Sequence, residues 1–173
     1  MKNNSIELIT EFSDNGEPLR TETFLTRSTI KLVMVYECVS FLALLKETPN
    51  THQVQEMIDL VTRIYDNQFT KNQLIDGLPS HSAVFELYEQ ITFVASGKHI
   101  DEEIADDAKS TTVNSWEDYK NNLKATIQDM TKEGNQSVNT VLDMPFYFVF
   151  DELNGEAKKK EQSSSMLSAF GAV

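Results

Sequence analysis

The sequence predicts a mainly helical α+β fold, in which a small N-terminal β-hairpin precedes a set of amphipathic helices. Two observations predict it. Residues 5–12 alternate Ile6, Leu8 and Phe12 against polar neighbours, with Thr10 at the remaining inward position, and Asn15-Gly16 follows as a turn signal. Beyond Ser28 the apolar residues recur instead at three- and four-residue steps, punctuated by Pro49, Asn67, Gly77, Gly97 and Gly134.

A second strand, rich in threonine, runs from 19 to 25. Two strands alone are marginal in water, so the hairpin leans on the helices or adds to a neighbouring subunit's sheet. A first helix is predicted over 28–46, with Leu32, Val35, Tyr36, Val39, Leu42 and Ala43 as its stripe. Val33, Phe41, Leu44 and Leu45 widen that stripe beyond a single contact, as a central helix or an intersubunit contact requires; the central position is preferred. After Pro49, Asn50 or Thr51 caps the helix with the cleanest period: Val54, Met57, Ile58, Val61, Ile64, Tyr65. Asn67 suits a left-handed stop. Thr70-Lys71-Asn72-Gln73 has the form of a capping box opening a short helix that Gly77 terminates. Pro79 and Ser80, or Ser82, start the next, with Val84, Leu87, Tyr88, Ile91 and Val94 on one side and Gly97 just past its end. Phe69 falls where a large side chain plugs the junction between helices; the other reading is an exposed anchor for a partner.

Residues 98–114 change character, acidic first and then small and polar, and read as a flexible linker. A calcium loop is the competing reading, but the glycine and the alternating ligand spacing it needs are missing. Ser115 caps a further helix carrying Trp116, Tyr119, Leu123, Ile127 and Met130, closed by Gly134. A short helix at 137–144 carries Val138, Val141 and Leu142. Pro145 then opens the aromatic burst Phe146-Tyr147-Phe148-Val149-Phe150, up to Leu153. That burst either makes a mini-core with Trp116 and Tyr119 or docks a partner, since a module of about 40 residues buries five large rings poorly. Lys158-Lys159-Lys160, three serines and Met166-Leu167-Ser168-Ala169-Phe170 complete a tail expected to be disordered, with a short apolar docking segment. The expected division is 1–98 as an N-terminal domain, 99–114 as linker, 115–155 as a small aromatic-rich module and 156–173 as tail.

The 173 residues, 40% of them apolar, are enough for a core. With 27 acidic against 15 basic residues the net charge is −12, which repels phosphate backbones and gives nucleic acid no footprint. Cys38, alone in the sequence, has no histidine beside it and reads as a core residue of a reducing compartment. The first residues do not form a signal peptide, and the greasy stretch 30–45 is too short and too charged (Lys31, Glu37) to cross a bilayer. The six glycines are too scattered for a phosphate loop, and His52, His81 and His99 are too scattered for zinc. No enzyme, cofactor, metal or small-molecule substrate is expected.

The order of features over 57–98 carries a resemblance. An apolar helix is followed by Asn67-Gln68-Phe69-Thr70, by Asp76-Gly77-Leu78, and by a last helix ending in Gly97-Lys98. This resembles the tail assembly chaperones of long-tailed phages and prophages of Gram-positive bacteria. In the lambda-like system such chaperones exist in a short form and a frameshifted long form. The resemblance implies that the N-terminal domain coats the helical tape measure protein, while the added domain recruits tail tube subunits. It implies too that the chaperone acts in the host cytoplasm and is absent from the finished tail. Residues 115–155 are similar to the added domain through Asp143-Met144-Pro145-Phe146-Tyr147 and Asp151-Glu152-Leu153. The expected partners are therefore the tape measure protein, the tail tube protein and further copies of this chain. The candidate partner contacts are Phe41, Phe69, Leu78, Trp116, Phe146, Tyr147, Phe148, Phe150, Leu167 and Phe170. Two other roles stay open: a tail completion or connector subunit retained in the virion, and a small helical regulatory adaptor.

Overall fold

The computed structural model describes residues 4–45, 48–96 and 115–146. In chain order these form β1 (Ser5–Phe12), β2 (Pro18–Leu25), α1 (Leu32–Leu44), α2 (Thr51–Ile64), α3 (Lys71–Gly77), α4 (Ala83–Ser96), α5 (Trp116–Glu133) and α6 (Val138–Leu142). The class is the expected one, mainly α with a two-stranded antiparallel sheet.

The hairpin pairs Ile6 with Phe24 and Leu8 with Glu22, and its register shifts beyond Ile9. Gly16, at φ +79°, closes the connecting turn, a backbone conformation that glycine adopts without strain. Ile6 and Leu8 are buried as their alternation predicts. Phe12 is not; the irregular register carries it past the helices, and it stands 48% exposed.

α1 is the central helix. It packs against α4, α5 and α6, which accounts for the width of its apolar surface: Leu32, Val35, Cys38, Val39, Phe41 and Leu42 are all buried. α2 is opened by the capping box of Asn50 and Gln53, and α3 by that of Thr70 and Gln73. α2 stops where Asp66 and Asn67 both take φ +58° and Asn67 N–H reaches back to Thr62 O. Gly77 ends α3 for a reason of its own. A Cβ there would lie 2.9 Å from Leu8 Cβ and 3.0 Å from Ile9 O, so only glycine admits β1 this closely.

Residues 115–146 pack onto the N-terminal helices. α5 and α6 lie on α1, and Leu123, Ile127, Val141 and Phe146 belong to the same core as the N-terminal helices. The chain is clamped there by backbone: Leu32 N–H donates to Met144 O and Phe146 N–H to Ile30 O, each at 2.9 Å, around the Lys31–Pro145 bridge. The Lys31 ammonium also meets the Asp143 carboxylate at 2.8 Å. The physical reason is α1 itself, whose second apolar flank would otherwise face water. Val138 is the exception, exposed on α6 although expected inward. The aromatic run beyond Phe146, the linker and the tail lie outside the described residues.

Candidate functional site

At one end of the helical layer the C-terminal end of α1, the start of α4 and the start of α5 converge on α2. Their apolar side chains outnumber the positions that the core can use. Leu42 and Leu45 come from α1 and its cap, Met57 from α2, Val84, Phe85 and Tyr88 from α4, and Trp116 from α5; Pro49, Ser80 and His81 complete the lining. Together they bound an open groove of about 600 Å³, within the roughly 300–1,000 Å³ typical of binding clefts.

α4 explains why the groove is greasy. Its core face is Leu87, Ile91 and Val94, so Val84 and Phe85, one turn towards the N-terminus, project past the core edge. Phe85 is 58% exposed and Val84 43% exposed. An exposed phenyl ring beside an exposed valine is a standing cost in water that a covering partner removes. The floor is firmer. Trp116 packs at 6.3 Å between ring centroids against Tyr119, whose hydroxyl burial pushes up to about 12.

Behind the groove a buried polar node fixes how the helices sit. Gln90 Oε1 accepts from Tyr65 Oη at 2.6 Å and from Asn4 Nδ2 at 2.7 Å. Its Nε2 donates to Glu86 Oε1 at 3.0 Å and to Ser5 O at 3.3 Å. One side chain therefore ties α4 to α2 and to the hairpin.

The residues singled out as partner contacts are placed differently from one another. Phe69 is 2% exposed and plugs the junction beneath the hairpin, its ring 5.0 Å from that of Phe24 and 5.4 Å from that of Tyr65. Phe41, Leu78 and Phe146 are buried in the same core, so in this conformation none of the four offers surface to a partner. Each is buried for one reason: a large apolar side chain at an element junction finds internal cover first. Trp116 alone of the described candidates lines the groove. Tyr147, Phe148, Phe150, Leu167 and Phe170 lie outside the described residues. The sequence reading missed Phe85, which falls beside the predicted α4 face. It named Leu44 and Leu45 only as extra width, and placed Val84 inward where the structure exposes it.

Cys38 is wholly buried on α1, where burial and then the Glu37 charge raise its thiol well above the ordinary range. Among the described residues no cluster of His, Cys, Asp or Glu could hold a metal ion, and no helix is long and apolar enough to cross a membrane.

The described residues thus make a helical fold with an apolar groove. The family model described as Phage tail chaperone protein matches residues 1–112, and the chain belongs to that family. Comparison with curated proteins and with solved structures gives no match. The family places the chain in phage tail assembly and in interaction with tail proteins.

Proposed function

We propose that this chain is the chaperone that keeps the tape measure protein soluble during tail assembly and recruits tail tube protein, and that it leaves before the virion is complete. The observation that carries the reading is the groove lined by Phe85, Val84 and Trp116 on a member of the tail chaperone family. A tape measure protein presents a long helix whose apolar stripe aggregates if left bare before the tube forms. An amphipathic helix laid into an apolar groove is a recurring recognition mode, with anchors at three- and four-residue spacing. Release requires each contact to be modest, so retention comes from many copies arrayed along one tape. Tube recruitment falls to the aromatic run Tyr147-Phe148-Val149-Phe150. The setting is the cytoplasm of a Gram-positive host.

The test is co-expression with the tape measure and tail tube proteins. The soluble fraction of the tape measure should rise with the wild-type chain and not with Phe85→Asp. A tape measure that stays insoluble with the wild-type chain contradicts the reading. Truncation after Lys98 is a poor probe of the division of labour, because it strips α5 from the apolar flank of α1. Substitution of Tyr147 and Phe148 by Ser in the full-length chain tests it with α5 retained, and should lose tube capture while tape measure binding persists.

A further inference from the structure

The two-stranded sheet has one covered edge and one open edge. Along β1 the outer edge is occupied: Gln90 Nε2 donates to Ser5 O at 3.3 Å, and Gly77 lies against the backbone N and O of Ile9. Along β2, among the described residues, no further strand pairs, and residues 18–23 are exposed. The two sides of β2 are identified at its end. Thr26 N–H donates to Asn4 O at 2.9 Å, towards β1, whereas Leu25 O turns away to accept from Gln68 Nε2 at 2.8 Å. Backbone groups alternate sides along a strand, so Glu22 and Phe24 direct theirs to β1 while Thr21 and Thr23 direct theirs outward.

We infer that β2 is the interaction surface for a second copy of this chain. Two β2 strands pair antiparallel about a twofold axis at Thr21 and make a four-stranded sheet. The register follows from charge. A twofold axis at Arg20 sets arginine against arginine, and one at Glu22 sets carboxylate against carboxylate, both destabilising when directly opposite. At Thr21 the axis places Arg20 of each copy opposite Glu22 of the other, twice over, as an isologous interface requires. The same axis brings the outward N–H and C=O of Thr21 face to face in a hydrogen-bonded pair. β1 offers no equivalent, since an axis at Ile9 sets Glu7 against Glu11 and its edge is already covered. Pairing also answers a deficit of the fold: the distal half of the hairpin, with Phe12 and Leu19 exposed, has no helix beneath it, and an isolated two-stranded ribbon is marginal.

The experiment is sedimentation equilibrium of the full-length chain over a concentration series, with Arg20→Glu and Glu22→Arg alone and mixed. The wild type should dimerise, and each single variant should weaken the dimer by about tenfold or more. Arg20 also meets Glu11 at 3.8 Å, so Glu22→Arg is the cleaner variant, with circular dichroism confirming that both are folded. An equimolar mixture of the two variants should recover a heterodimer, because each then carries the charges that the other's strand requires. A monomeric wild type would leave the edge to a strand of some other protein and overturn the proposal. So would a dimer or larger assembly indifferent to both substitutions, or a mixture that fails to associate.

Discussion

The Tyr65 hydroxyl donates to Gln90 Oε1 at 2.6 Å, joining the end of α2 to the middle of α4 through two buried side chains. Asn4 Nδ2 shares the same acceptor, so the amide is where three elements meet. Tyr65→Phe leaves the oxygen one donor and should cost about 1 kcal/mol. Gln90→Leu strands the buried Tyr65 hydroxyl and Asn4 amide together and should cost about 2–4 kcal/mol. Urea denaturation of the three proteins checks both the size and the order.

Gly77→Ala should destabilise by about 1–3 kcal/mol, because the new methyl meets Leu8 Cβ and the Ile9 carbonyl with no flexible end to yield. A helix-terminal glycine replaced by alanine would ordinarily cost little or gain. Thermal melts that show Gly77→Ala as stable as the wild type would mean that β1 does not approach α3 as described.

Stability should fall on the alkaline side. Burial raises Tyr65 and Cys38 far above their ordinary ranges, with the charges of Glu86 and Glu89 adding to Tyr65 and that of Glu37 to Cys38, and burial raises Tyr119 to about 12. Each group is raised on folding, so its contribution is complete below the ordinary pKa and is lost as pH climbs through the folded value. The decline should therefore begin above pH about 9, where an unfolded thiol starts to ionise, and steepen beyond about 10 as unfolded tyrosines join it. Tyr119→Phe should flatten the slope between about 10 and about 12. Denaturant midpoints measured across that window are the check.

Much of this fold is legible in the sequence because local physics decides it. The capping boxes at Asn50 and Thr70, the left-handed Asn67, the Ser115 cap and the alternation of Ile6 and Leu8 are all settled within a few residues of themselves. What was not legible depends on distant partners. Gln90 looks like a polar residue on the margin of an amphipathic helix until Asn4, 86 residues away, supplies its donor. Gly77 looks like a helix stop until β1 arrives. The apolar width of α1 was legible, but not that α5 and α6 would fill it. The groove was missed for a related cause. Phe41 and Phe69 are conspicuous as sequence yet covered at junctions, whereas Phe85 is ordinary as sequence and left exposed by the turn of α4.

Leu123 tests the shared core. It is completely buried on α5, which packs on α1, so Leu123→Ala should cost about 2–5 kcal/mol and lower the stability of the whole chain in one transition. Two separate transitions, only one of them moved, would restore an independent C-terminal module. Hydrogen exchange of the α1 amides gives the same answer residue by residue.

The claim at the centre is that the Phe85 groove covers the apolar stripe of a tape measure helix. Phe85→Asp is an exposed substitution, so the fold should keep its stability within about 0.5 kcal/mol. The decisive measurement is the soluble yield of co-expressed tape measure protein with the wild-type chain and with folded Phe85→Asp. The account predicts a large loss with the variant; equal yields would contradict it.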